Sequence, residues 1–507
     1  MSSFNASSEN LSSVPFPIFL ENLKAKMQKV YGELANTDYL TTKRGVPNAV
    51  LDEIMTLHPL SVIIPKEFGG RGSRIDENLL MTSAAAYESL AFSLTLGINS
   101  ALFLQPVIKY AKPEVKKTIF EGFINDTKMG GLMITEPNFG SDALNMQTFF
   151  TKNESHFKLK GTKHWAGLTG FANYWLLTAR EQTENGQLKR DLDFFICDTS
   201  DSDQQIVVEE YFDNLGLHHI PYGRNIIDVK IPKIQRLEPK TNGINILLDT
   251  LHRSRLQFPA MGLGFIQRMM DEAITHCKQR SIGGKSLVQY DQVQYRLARL
   301  QSYFTICSAM CAYSSENAGL ENDLSTCGIE ANSFKTIATD MMQDAAQSLV
   351  QLVGAKAYRY SHIGGRGIID SRPFQIFEGS NDILYAQISE GILKLMKQSH
   401  ENNLYKFLKG FRFTKHASSL LKEIINFELS NQLPQRKLIE FGKIISRIVA
   451  IEMVLELSES KFRNDLISNA TSMLQTEIYG LIGNFKQMEY TNVIEDYKEN
   501  SSWHNIF

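Results

Sequence analysis

Apolar residues recur at helical spacing from about residue 17 to residue 130. Leu20, Leu23, Met27, Val30 and Tyr31 share one face, and long apolar-polar patterns continue through residues 81–104 and 107–123. Between these helices the run from Ile64 to Gly72 (IPKEFGGRG) collects residues that tolerate positive φ, which predicts a turn. The period changes after residue 130. Runs rich in aromatic and β-branched residues at 148–151, 157–160, 174–178, 206–208 and 226–231 are separated by Asn, Gly and Asp, and they predict strands. Helical spacing returns near residue 243 and persists to about 395, with long segments at 263–277, 289–318 and 332–352. A further helical pattern follows in Leu404, Phe407, Leu408 and Phe411 and then Leu438, Phe441, Ile444, Ile445, Ile448 and Val449, with a break at residues 431–435 around Pro434. The expected architecture is α+β in four parts. Residues 1–130 form a helical domain, 131–245 a central β-barrel, 246–397 a four-helix bundle, and 398–507 an additional helical extension. The extension reads as packing on the bundle or closing a dimer. Its polar face mixes Glu440, Glu452, Glu456 and Glu459 with Lys461, where an anionic lipid surface would favour a basic face.

Composition agrees with several domains, because 507 residues that are 43 % apolar can bury more than one core. A net charge of −2 and the lack of a basic block argue against nucleic acid as a partner. Cys197, Cys277, Cys307, Cys311 and Cys327 show neither CxxC spacing nor neighbouring histidines, so no metal is expected and buried thiols in a reducing compartment are. Residues 1–17 are Ser/Asn-rich, with no basic start and no apolar segment, and the last three residues are not a peroxisomal signal. No run approaches eighteen consecutive apolar residues, so neither a membrane span nor membrane association is expected, and the expected location is cytoplasmic.

Candidate chemistry centres on Glu378, in the run PFQIFEGSNDIL from Pro373 to Leu384. Phe374, Ile376 and Phe377 would desolvate this carboxylate and raise its pKa toward that of a useful general base. Taken alone, the same residue also reads as a helix-end carboxylate in solvent.

Three further segments lie upstream: ITEPNFGSD at 134–142, GTKHW at 161–165 and QLVGAKAY at 351–358. In this order, with IFEGSND, they resemble the acyl-CoA dehydrogenase family, with its TEPxxGSD run, GxKxW strand, QxxGGxG loop and IYEGT base segment. The resemblance covers roughly residues 45–395. It implies FAD held between barrel and bundle, with Met133, Ile134, Thr135, Trp165 and Gly167 along the flavin and Ser380 and Asn381 near it. Arg280, in KQRSIGG, matches the arginine that reaches the FAD pyrophosphate of a neighbouring subunit. Gln292, Gln351 and Gly354 match positions near the dinucleotide, so a homodimer or homotetramer is implied. Ser141 matches a serine that contacts the pantetheine arm or the cofactor, although Ser141-Asp142 also reads as a turn cap. His252, Arg255 and Gly379 match substrate-side positions, with Arg255 reading equally as a surface arginine. Glu378 would take the α-proton of an acyl thioester while the β-hydride passes to flavin, giving a trans-2-enoyl product. Electrons would then pass to an electron-transferring flavoprotein.

Several positions depart from the family pattern. Ala166-Gly167 follows Trp165 where a hydroxyl residue is usual, leaving backbone or Thr169 to serve. Ala355 and Ala357 replace loop glycines, Ile369-Asp370 replaces an Arg-Asp pair with Arg366 and Arg372 close by, His252 stands where an acid is usual, and Gly283 replaces an aromatic. These changes are compatible with an acyl-carrier-protein substrate in place of acyl-CoA. An acyl-CoA oxidase, a flavin monooxygenase and a non-enzymatic assembly protein on the same fold are the alternatives. Oxygen access separates the first, retention of Glu378 counts against the second, and absence of bound flavin would mark the third.

Overall fold

A computed structural model describes residues 11–33, 42–430, 432–487 and 492–506. The expectations for residues 1–10 and for Asn431 lie outside the described residues.

Helices Phe16–Glu33, Asn48–Met55, Ile75–Glu88 and Pro113–Asn125 build the first part. Between the last two runs a continuous apolar helix, Leu90–Tyr110, whose middle, Ile98–Leu104, is π-helical. This helix is long and apolar enough to cross a membrane, but 89 % of its most apolar window is buried inside the molecule. Asn99, in the wider π turn, donates to the Thr95 carbonyl at 2.8 Å and accepts from the Gly130 amide at 2.7 Å. It thereby fixes the start of the sheet against the helix.

The central part is a seven-stranded sheet: β1 (Gly130–Met133), β2 (Phe149–Lys152), β3 (His156–His164), β4 (Tyr174–Gln182), β5 (Leu188–Asp198), β6 (Val207–Tyr211) and β7 (Gly223–Pro232). β1 and β2 run parallel to β4, β5 pairs antiparallel with β4, and β3, β7 and β6 continue on the other side. The expected barrel is a half-barrel, since no ladder joins β5 to β6. Inside it, aromatic packing joins strands that share no ladder: Phe195 of β5 sits 4.9 Å from Phe150 of β2 and 5.1 Å from Phe157 of β3, ring centroid to centroid.

The bundle consists of Gly243–Gln279, Asp291–Asn317, Gly328–Val353 and Asn381–Ser399. Asn242 caps the first of these by accepting from the Asn245 amide at 2.9 Å. The extension packs on the bundle through Gln435–Glu456, which begins directly after Pro434. Phe441, Ile444, Ile445, Ile448 and Val449 are fully buried, each contributing about 1.5–3 kcal/mol relative to exposure. At Gly442 a Cβ would stand 2.0 Å from the Tyr385 carbonyl oxygen, so this helix and Asn381–Ser399 pack backbone to backbone. The last long helix, Asn464–Gln487, is tied on by Glu477, which pairs with Arg447 at 2.8 Å and Arg299 at 3.1 Å.

Candidate active site

Where the Leu90–Tyr110 helix, the sheet rim and the bundle meet lies a cavity of about 440 Å³. Ile134, Thr135, Ser141, Trp165, Gly167, His252, Arg255, Glu378 and Gly379 all line it.

Glu378 belongs to the loop between the turn Arg372–Gln375 and helix Asn381–Ser399. It adopts φ 52°, and Gly379 follows at φ 91°. A non-glycine residue in this region costs about 1–2 kcal/mol, so the surroundings must impose the turn. Arg255 does so from the Gly243–Gln279 helix. Its Nε and Nη2 donate to the Glu378 carbonyl at 3.1 and 2.8 Å, and its Nη1 donates to Asn332 Oδ1 at 2.8 Å. Arg255 therefore acts on the backbone of the Glu378 loop, and the surface-arginine reading falls.

The Glu378 side chain accepts one bond, from Ser254 Oγ to Oε1 at 3.1 Å, while Oε2 is buried without a partner. Phe377 lies 4.9 Å from Phe374 and 6.1 Å from Phe258, which makes the surroundings apolar. Burial raises the carboxyl pKa, opposed by Arg255, the Ser254 bond and Lys335. The result is an acceptor oxygen with no partner among the described residues.

The opposite wall is made by the ITEP segment and the turn after β3. Lys163, with no solvent exposure, donates to the Ile134 carbonyl at 3.1 Å, Glu136 Oε1 at 3.0 Å and Thr178 Oγ1 at 3.1 Å. Burial brings its pKa down to about 8 against the pull of Glu136. The His164 amide donates to the Thr135 carbonyl at 2.8 Å. This segment is thus pinned from the sheet side by two consecutive residues of β3. Trp165 follows at φ 55°, packed 4.5 Å from Phe212 and 54 % exposed at the cavity wall. A half-exposed indole on a cavity wall fits a flat heterocycle as its cover.

At Gly167 an added Cβ would meet Ile98 Cδ1 at 2.7 Å, with Tyr222 Cε1 at 3.5 Å, so the space of a larger side chain is already filled. Thr169 does not take over the missing hydroxyl. Fully buried, its Oγ1 donates to the Ala166 carbonyl at 2.8 Å and accepts from Asn225 Nδ2 at 3.1 Å. His252 bonds the Leu324 carbonyl through Nδ1 at 2.8 Å, and burial, with Arg255 nearby, holds its pKa at about 4. It is neutral, with Nδ1 the donor and Nε2 an acceptor.

Other expected site residues lie elsewhere. Asn381 is a correction: its side chain points into the bundle, bonded to Lys335, Thr339 and Asp340. Met133 is 1 % exposed and does not line the cavity, and Ser380 marks the start of its helix. Arg280, Gln292, Gln351 and Gly354 are exposed away from the cavity. Sequence reasoning missed Ser254, Tyr222 and Lys335. The available signal for Lys335 was a cation sharing the apolar face of Ala331, Ala338 and Met342. Among the described residues no cluster of three or more His, Cys, Asp or Glu could hold a metal.

Comparison with known proteins agrees with this geometry. Profiles described as acyl-CoA dehydrogenase N-terminal, middle and C-terminal domains match residues 20–126, 131–229 and 241–393. A short-chain-specific acyl-CoA dehydrogenase of Megasphaera elsdenii is 25 % identical over 368 residues, covering 71 % of this chain and 94 % of that protein. A caffeyl-CoA reductase–Etf complex subunit of Acetobacterium woodii is 24 % identical over 349 residues, 69 % of this chain and 90 % of the relative. Among solved structures, an acyl-CoA dehydrogenase complexed with FAD from Bacillus anthracis superposes with a TM-score of 0.72 at 16 % identity, over 97 % of this chain and 90 % of that one. With its helical, sheet and bundle parts all matched in order, the chain belongs to the acyl-CoA dehydrogenase family.

Proposed function

We propose that this protein dehydrogenates an acyl thioester to the trans-2-enoyl form, with FAD as cofactor and Glu378 as base. The observation that supports this most directly is Glu378 itself, a carboxylate that lines the cavity beside phenyl rings and accepts only the Ser254 hydroxyl bond. The residues present fit a flavin, given the half-exposed Trp165 and the pinned Ile134–Thr135 segment on the facing wall. Ile134, Thr135, Trp165 and Gly167 would hold the isoalloxazine, with Met133 buried in the strand that leads to them and Ser380 nearby. The exposed Arg280, Gln292, Gln351 and Gly354 would meet the cofactor of a second copy in a homodimer or homotetramer.

When bound, FAD supplies the hydride acceptor that no side chain provides. Glu378 removes the α-proton onto its carboxylate, and burial, which raises its pKa, suits it to that task. The Glu378 amide meets negative charge developing on the thioester oxygen. Ser141, His252, Arg255 and Gly379 flank the substrate's path, and the electron acceptor is an electron-transferring flavoprotein. The neutral His252, where an acid is usual, leaves acyl-carrier-protein thioesters beside acyl-CoA as substrates.

The test is the visible spectrum of the purified protein, followed by anaerobic titration with acyl-CoAs and the matching carrier-protein thioesters. Bleaching of the flavin by one class, lost in Glu378→Gln, is the expected result. A flavin that no thioester bleaches, or a protein that takes up no flavin, overturns the reading.

A further inference from the structure

Behind the base loop, on the side away from the cavity, sits a fully buried lysine. We propose that Lys335 is a positioning residue for the base: with Arg255 it fixes the two successive carbonyls of the Glu378–Gly379 turn and so sets where the carboxylate projects. This rests on Glu378 being the base.

Lys335 lies in the Gly328–Val353 helix and does not line the cavity, so it acts through the loop. Its Nζ donates to the Gly379 carbonyl at 2.9 Å and to Asn381 Oδ1 at 2.9 Å. Asn381 is itself oriented, since its Nδ2 donates to Thr339 Oγ1 at 3.0 Å and Asp340 Oδ1 at 2.7 Å. Cations from two different helices therefore hold consecutive carbonyls, Arg255 that of Glu378 and Lys335 that of Gly379. Both residues of this turn have positive φ, and without the donors its two carbonyls would lose their side-chain partners in a part-buried loop. An ammonium in this position is costly to bury, and packing alone would be served by Met.

The charged groups facing Lys335 are Arg255 from the first bundle helix, Glu378 from the loop and Asp340 from its own helix. Burial and Arg255 bring its pKa down to about 7, with Glu378 and Asp340 pulling the other way. In its protonated form Lys335 favours the ionised base. Lys335 thus supplies geometry through its donors and charge through its proton, and the two are separable. Lys335→Gln can keep a donor without the charge, and Lys335→Met keeps neither.

The experiment measures α-deuterium uptake in D2O by a 3-thia-acyl-CoA on the holoenzyme across pH. The β-sulfur has no hydride to give, so uptake reports proton removal alone. Titration of the Glu378 carboxyl is followed alongside by 13C NMR, assigned by difference from Glu378→Gln. Lys335→Met is expected to slow exchange about ten- to a hundredfold. Flavin content and ligand affinity should stay near wild type, and the acid limb and the carboxyl titration should both move to higher pH. Lys335→Gln should recover rate but keep the displaced limb, which also covers the case of a poorly folding Met variant. A carboxyl titration and acid limb unchanged in both variants overturn the proposal. If the wild type exchanges nothing while the carboxyl titration still moves in the variants, the base reading falls and only the electrostatic contact of Lys335 with Glu378 stands; a Lys335→Met that exchanges at the wild-type rate overturns the positioning.

Discussion

Lys163→Met separates a buried ion pair from the apolar packing around it. The Lys163 side chain has no exposure and that of Glu136 has 3 %, with Nζ and Oε1 3.0 Å apart. Methionine keeps most of the volume and removes the charge. Glu136 would then retain two backbone donors, the Gln147 amide at 2.5 Å and the Thr148 amide at 2.9 Å, and no cation. Breaking one side of a buried pair costs about 3–5 kcal/mol, and the two surviving donors place this case toward the lower end. In Lys163→Met/Glu136→Gln the uncompensated carboxylate disappears while an amide oxygen still accepts. The double variant should therefore recover about 1–3 kcal/mol over the single one. Urea unfolding followed by tryptophan fluorescence suits the measurement, because Trp165 and Trp175 sit at this sheet and only Trp503 lies elsewhere. The same change frees the Ile134 carbonyl, so flavin affinity should fall with stability. A loss below about 1 kcal/mol, or a double variant no more stable than Lys163→Met, would refute the assignment of this pair as the anchor of the ITEP segment.

Glu378→Gln should stabilise the protein at pH 8 and match wild type at pH 4. Because burial raises the native carboxyl above its unfolded value, the native state holds the extra proton, and the stability this lends is present at low pH and lost as pH rises through the native pKa. Each unit of elevation corresponds to about 1.4 kcal/mol, and thermal unfolding that shows no pH-dependent difference between the two proteins counts against a raised pKa. Gly379→Ala places a Cβ 2.9 Å from Leu384 Cδ2 at φ 91° and should cost about 1–3 kcal/mol, read by thermal unfolding; an unchanged midpoint contradicts the strain. Arg255→Lys loses the fork on the Glu378 carbonyl and should lower kcat about tenfold or more with KM little changed, whereas a rise in KM alone would return Arg255 to the substrate.

Much of the fold was legible because local chemistry and tertiary placement agreed. Five strands announced themselves by β-branched and aromatic runs. β1, with Gly130-Gly131-Leu132-Met133, has no such residue and is a strand because Asn99 and β4 hold it. β5 opens on the polar, exposed residues Lys189, Arg190 and Asp191 before its apolar half, so no β-branched run marks its start. The bundle's first helix begins at Gly243, where helical spacing returns in the sequence, but it passes through Pro259, a residue that usually ends one. In the site, residues carried by contiguous motifs converged on the cavity. Lys335 and Ser254 are recognisable only through partners far away in sequence, at Gly379 and Glu378, and no local pattern encodes those meetings. Asn381 illustrates the converse, since its position beside the base suggested the cofactor while its side chain serves the clamp.

The departures from the family pattern are compensated in the structure. Gly167 lacks a side chain because Ile98, Ile220 and Tyr222 already occupy its place. Asp370, without the expected arginine before it, accepts from the Leu217 amide at 2.7 Å and ties the bundle to the sheet rim. Ala357 is fully buried in the turn Gly354–Tyr358, while Gly354 alone keeps positive φ there, at 78°. A scaffold released from catalysis would have little reason to keep a left-handed Glu378, since the turn costs energy and demands two buried cations to hold it. The strained turn at Glu378 is held by Arg255 and Lys335, and the departures from the family pattern fall where packing absorbs them.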